Sequence, residues 1–159
     1  MSTTKKMIVE WQGNLRLQAH NEKGLTVNFD APIPHGGEET ALSPMENVLA
    51  SLASCSSFHV LTILKKKRLT VSAYSVEATA ERREEPPRVF TKIHLKYIVK
   101  GKEITPEAVE SAIKLSEEKY CSVGGMLKAS VPITSSFWSS RNENILRIKR
   151  RQTTRNCRV

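Results

Sequence analysis

Three cysteines, Cys55, Cys121 and Cys157, are the most chemically capable side chains of this 159-residue chain. A thiol attacks only as its thiolate, so the question for each is what would ionise it. Cys55 lies in SPMENVLASLASCSSFHVLTIL, twelve residues into a segment that reads as helix, where the field of the helix N-terminus has decayed. Taken alone it reads as a small core hydrophobe. Its neighbours open a second reading. Ser51, Ser54, Ser56 and Ser57 make the helix polar, as on a face turned to a cleft or to solvent. His59, one turn on, shares the face of Cys55 and could exchange a proton with it or donate to its thiolate.

Cys121 lies in EEKYCSVGGMLKAS, where Gly124-Gly125 allows another element to approach the backbone closely. As a pair, Cys55 and Cys121 suggest a reversible disulfide in a reducing compartment, where a lasting structural bond would be unusual. Their separation of 66 residues neither requires contact nor forbids it. Cys157, beside Arg155 and Arg158 near the C-terminus, reads as an exposed, easily oxidised thiol with no catalytic role. The histidines, His20, His35, His59 and His94, are scattered without metal-ligand spacing, so no metal is expected. There is no phosphate-binding glycine loop. His35-Gly36-Gly37 has the form of an oxyanion-hole turn, yet no GxSxG elbow accompanies it, which removes a hydrolase of that type and leaves a mobile loop. Phe58, Tyr120 and Met126 flank the cysteines, either as core or as the lining of an apolar pocket.

The elements that must position these residues follow from periodicity. Residues 7–11, 15–19 and 25–29 read as three short strands, broken at Gly13-Asn14 and at 21–24, in an antiparallel meander. Residues 30–42, with two prolines and Gly36-Gly37, form a loop. Ser43-Pro44-Met45-Glu46 is a capping box that opens a long central helix with apolar residues at three- and four-residue intervals, ending at the 65–68 basic run. Residues 71–81 and 88–100 alternate as a hairpin, the second strand with Val89, Thr91, Ile93, Leu95, Tyr97 and Val99 on one face. Thr105-Pro106 opens a second helix toward Tyr120, and a last short helix and a strand over 129–135 close the domain. The class is α+β.

The chain is of single-domain size and 39% hydrophobic, and no run approaches the roughly 18 apolar residues needed to span a bilayer. The start of the chain lacks the apolar centre of a secretory signal, so the expected location is cytoplasmic, with no membrane partner. Six of the nine net positive charges fall in residues 138–159, where seven Lys and Arg face Glu143 alone. This division predicts a domain over 1–137 and a basic, solvated, disordered tail over 138–159. Nucleic-acid binding through that tail is a weaker reading of the same charges.

The segment SPMENVLASLASCSSFHVLTIL, followed by EEKYCSVGGMLKASVPI, resembles the OsmC/Ohr family of osmotically inducible and organic hydroperoxide resistance proteins, across roughly residues 7–136. The resemblance implies an OsmC-like fold, with an antiparallel sheet wrapped around the long central helix, in an intertwined homodimer with active sites at the subunit interface. It implies a thiol-dependent peroxidase, a peroxiredoxin-like organic hydroperoxide reductase acting in the oxidative stress response. Cys55 would be peroxidatic and Cys121 resolving. The substrate would be an organic hydroperoxide and the partner a thiol reductant, with no cofactor.

The resemblance also asks for an arginine that activates the first cysteine, held by a glutamate. Arg16, the sole arginine ahead of Arg68, is the candidate on the second expected strand, with an exposed strand residue as the alternative. The glutamate departs from the family pattern. It stands ten residues before the first cysteine in the hydroperoxide-resistance branch, a place held here by Met45. Glu46 is nine before, roughly 100° around the helix, and could orient Arg16 or serve only as a cap. Ser122 replaces a proline common after the second cysteine. These departures mark a divergent branch, for which the alternative is a redox-sensing or small-molecule-binding dimer with little turnover.

Overall fold

The computed structural model describes residues 4–140 and 142–147. The chain divides into two compact units, one ending at Ala50 and the other starting at Ser51, so that the central helix belongs to both.

The first unit holds β1 (Met7–Trp11), β2 (Leu17–Asn21) and β3 (Thr26–Phe29), in the antiparallel order β1-β2-β3. The first turn places Gly13 at φ 94° and Asn14 at φ 49°, left-handed conformations that these two residues tolerate best. In the second, the Asn21 carboxamide oxygen accepts from the amides of Lys23 (2.9 Å) and Leu25 (3.1 Å). Every residue of β1 is exposed, including Met7, Val9 and Trp11. In the loop that follows, the buried Asp30 accepts from Thr40 Oγ1 (2.7 Å) and from the amides of Ala31 (2.7 Å), Thr40 (2.9 Å) and Glu38 (3.4 Å). Gly37 is packed so closely on the backbone of Ala31 that a Cβ would overlap it. The expected mobile loop is therefore folded around one carboxylate.

The central helix α1 (Pro44–Lys66) starts at the expected capping box. Its buried residues Leu52, Ser56, Val60, Ile63 and Leu64 follow the helical period. No charge falls between Glu46 and Lys65, and an 18-residue stretch reaches a mean hydropathy of 1.5, which by length and composition is enough to cross a membrane. This corrects the expectation that no segment approaches that length. Small residues and interspersed serines hid the stretch from a search for unbroken apolar runs.

The second unit is built on β4 (Ala73–Arg82), β5 (Phe90–Lys100), β6 (Ile133–Ser139) and β7 (Asn142–Arg147), in that order across one sheet. β4 and β5 form the expected hairpin, with a register shift at Glu81/Arg82. That bulge changes the phase of the alternation. Ile93, Leu95, Tyr97 and Val99 are buried as expected, while Phe90 takes the inward position and Val89 and Thr91 are exposed. β5 and β6 pair in parallel, so the sheet is mixed, not wholly antiparallel. A parallel pair needs a crossover. Here α2 (Pro106–Leu115), a π turn (Ser116–Tyr120) and α3 (Ser122–Leu127) supply it, and they place Cys121 between the π turn and α3.

The last expected strand, 129–135, forms four residues later, because Ser130 and Val131 bond back to the Leu127 carbonyl and the strand starts only after Pro132. The domain boundary expected at 137 falls inside β6. β7 continues the sheet antiparallel to it, so residues 142–147 extend the domain where a tail was expected. The rest of that segment, with Cys157, lies outside the described residues.

Candidate functional site

The second unit brings Cys55 and Cys121 together. Both are free thiols, and Cys55 lies near enough to Cys121 to raise the pKa of its thiol. Their exposures differ. Cys55 is partly exposed, whereas Cys121 retains 6% of its surface. Burial pushes the Cys121 thiol up to about 11; the Cys55 thiol and Glu117 add to the shift, while the Gly124 amide, donating to Sγ at 3.3 Å, opposes it.

A set of hydroxyls fixes the two segments. Ser56 Oγ lies 2.6 Å from the Tyr97 hydroxyl on β5 and 3.1 Å from Ser116 Oγ, and Ser116 Oγ donates to the Ser56 carbonyl at 3.2 Å. The Tyr74 hydroxyl donates to Ser57 Oγ at 3.1 Å. Burial raises both phenols, Tyr74 to about 12, which keeps them as neutral hydrogen-bonding groups. The serines around Cys55 therefore divide. Ser51 and Ser54 are exposed, as a polar helix face suggested, while Ser56 and Ser57 turn inward and tie α1 to the sheet and to the π turn. His59 stacks on Tyr120, with ring centroids 5.7 Å apart. Phe58, Tyr120 and Met126 are all exposed. The small cavity beside Cys121 is walled by Leu52, Leu95 and Ile133 instead.

Arg16 and Glu46 lie in the first unit and are not brought together. Arg16 stands in the turn just ahead of β2 and pairs with Glu38 (3.7 Å), an exposed ion pair of less than about 1 kcal/mol. Asn14 Nδ2 donates to the other Glu38 oxygen at 3.2 Å. Glu46 accepts from the Ser43 amide and from Ser43 Oγ, both at 2.7 Å, which lowers its pKa. It is the cap that the box predicted. Two residues escaped the reading of the sequence. Glu38 carried no signal, because its pairing depends on how Asp30 folds the loop. Glu117 stood in the motif EEKYCSVGG, but its placement beside Cys121 depends on a π turn that no periodicity announces.

A family profile described as OsmC-like protein matches residues 36–136. The chain is 42% identical over 129 residues to protein YhfA of Escherichia coli strain K12, covering 81% of this chain and 93% of YhfA. It is also similar to the crystal structure of a hypothetical protein from Aquifex aeolicus, at 34% identity and a TM-score of 0.76, covering 87% of this chain and 97% of that one. An organic hydroperoxide resistance protein from Elizabethkingia anophelis shares the fold at 14% identity and a TM-score of 0.67, covering 87% and 98%. A mixed α+β fold with a thiol on its long helix facing a second thiol on a crossover is the arrangement found here. The chain belongs to the OsmC-like family.

Proposed function

We propose that this protein is a thiol-dependent peroxidase that reduces organic hydroperoxides to alcohols through a Cys55 sulfenic acid and a Cys55–Cys121 disulfide. The observation that supports it most is a partly exposed thiol placed near enough to a buried one to shift its pKa. The exposed sulfur is the one a peroxide can approach. Its thiolate attacks the distal peroxide oxygen, the O–O bond breaks, and the alkoxide leaves as the alcohol after taking a proton. The buried thiol then displaces hydroxide from the sulfenic sulfur, giving the disulfide and water, and an external dithiol returns both thiols. No cofactor enters this cycle. The name borne by the Elizabethkingia protein favours organic hydroperoxides as the substrate class.

Arg16 is the proposed activating cation, on the strength of the family resemblance. A homodimer is part of the same reading. Support for it comes from Met7, Val9 and Trp11 on β1, apolar side chains left in water by the single chain. Reduced thiols suit the cytoplasm.

Glu46 favours a second reading, in which the protein senses peroxide or binds a small molecule with little turnover, because its carboxylate is committed to Ser43. One experiment separates the two. With substoichiometric cumene hydroperoxide, the peroxidase loses free thiols and yields a Cys55–Cys121 peptide by mass spectrometry, while Cys55→Ser consumes no peroxide. Continued peroxide loss with dihydrolipoamide identifies turnover; a single oxidation followed by a stall identifies the sensor. Thiols left intact would refute both the peroxidase and the peroxide sensor and leave small-molecule binding.

A further inference from the structure

The π turn Ser116–Tyr120 closes through the Cys121 amide, which donates to the Ser116 carbonyl at 2.8 Å. Such i→i+5 turns are rare and occur frequently at functional sites. Here the half-buried Glu117 and the buried Cys121 come to line one cavity of about 30 Å³, enough for about one water molecule. Glu117 is near enough to act electrostatically on Cys121.

We infer that Glu117 is the proton relay for the second step of the proposed cycle, accepting the Cys121 thiol proton and delivering a proton to the departing hydroxyl, directly or through one water. The inference rests on the peroxidase reading. The step balances: the Cys121 S–H and Cys55 S–O bonds break, the S–S bond forms, hydroxide leaves as water, and Glu117 ends in the protonation state in which it began. The oxidising equivalent is the organic hydroperoxide that made the sulfenic acid.

The need for a relay follows from the site. Burial holds the Cys121 thiol well above its ordinary pKa, so it is largely protonated at pH 7 and its proton must leave as the sulfur attacks. The other groups facing it are poorly suited to take that proton. Tyr97 has a raised pKa and is bonded to Ser56; Ser116 Oγ is bonded to Ser56; Lys128, on the cavity wall, has a side chain that donates and does not accept; and Cys55 is the group under attack. The imidazole of His59 is stacked on Tyr120.

The test uses the full chain with Cys157→Ser, so that two thiols remain, and follows the Cys55 sulfenic acid by dimedone trapping and the disulfide by quenched mass spectrometry. Glu117→Gln should form the sulfenic acid yet condense it about 10- to 100-fold more slowly, with a rate that climbs close to tenfold per pH unit where the parent's is flat between pH 6 and 8. Glu117→Asp should restore part of the rate and the flat profile. In a Cys55→Ser background, the pH dependence of Cys121 alkylation should shift to lower pH with Glu117→Gln. An unchanged condensation rate and profile, an unchanged alkylation curve, or a profile abolished by His59→Asn instead would overturn the relay alone. A parent protein that gives no Cys55 adduct would overturn the peroxidase reading and the relay with it.

Discussion

The imidazole of His59 and the phenol of Tyr120 stack with their planes at 30°, joining the residue one turn past Cys55 to the residue just before Cys121. A pair of aromatic rings in this arrangement contributes roughly 0.5–1.5 kcal/mol beyond its buried area, and less where it is exposed as here. Tyr120→Ala should therefore leave the protein folded but slow disulfide formation two- to fivefold, measured by loss of free thiols after one equivalent of peroxide. Tyr120→Phe keeps the stack and should match the parent.

The hydroxyl cluster of Ser56, Tyr97 and Ser116 is fully buried, so removing one member strands its partners. Tyr97→Phe should lower stability by about 1–3 kcal/mol in urea unfolding, although it changes a single atom. Ser56→Ala should cost a similar amount. In the Tyr97→Phe, Ser56→Ala double variant the losses should be less than additive, since both delete the same 2.6 Å bond.

Two adjacent glycines should respond in opposite directions. A Cβ on Gly124 would sit 3.2 Å from Cys121 Sγ and 3.6 Å from Leu52 Cδ1, whereas one on Gly125 meets nothing within 4 Å. Gly125→Ala should stabilise by up to about 1 kcal/mol through helix propensity. Gly124→Ala gains the same propensity but overpacks the sulfur, a cost of roughly 1–3 kcal/mol, and should lower the unfolding midpoint.

Acid should act on the Asp30 loop in a defined window. Hydrogen bonds from Thr40, backbone first, hold its carboxyl at about 2 against an ordinary value of 3.8. A lowered folded-state pKa adds stability above the unfolded value that disappears as pH falls toward the folded one. Asp30→Asn should thus flatten the fall in stability between about pH 4 and pH 2, and lower stability at neutral pH, in denaturant titrations across that range. Thr40→Val should do the same to a smaller extent.

Much of this could be read in the residues. The capping box at Ser43 and Glu46 fixed the start of α1, because reciprocal bonds across three residues are local. The meander was legible from Gly13-Asn14 and from the turn at Asn21. The pairing of Cys55 with Cys121 came from resemblance, since no local rule spans a crossover. The phase slip on β5 was invisible because a bulge adds one residue without marking it, and the start of β6 was misplaced because Ala129 and Ser130 suit a turn as well as a strand. The partner of Arg16 was missed because Glu38 reaches it through a loop organised by a third residue, Asp30.

Under the proposed function, the unequal exposure of the two sulfurs would set the direction in which electrons return. In the proposed cycle, a bulky dithiol would reach sulfur 55 far more readily than sulfur 121, so exchange would begin at the helix and expel the interior thiol as leaving group. Of these two sulfurs, only the outer one would collect mixed adducts with glutathione, and the hidden one would be spared over-oxidation for as long as the surrounding structure holds.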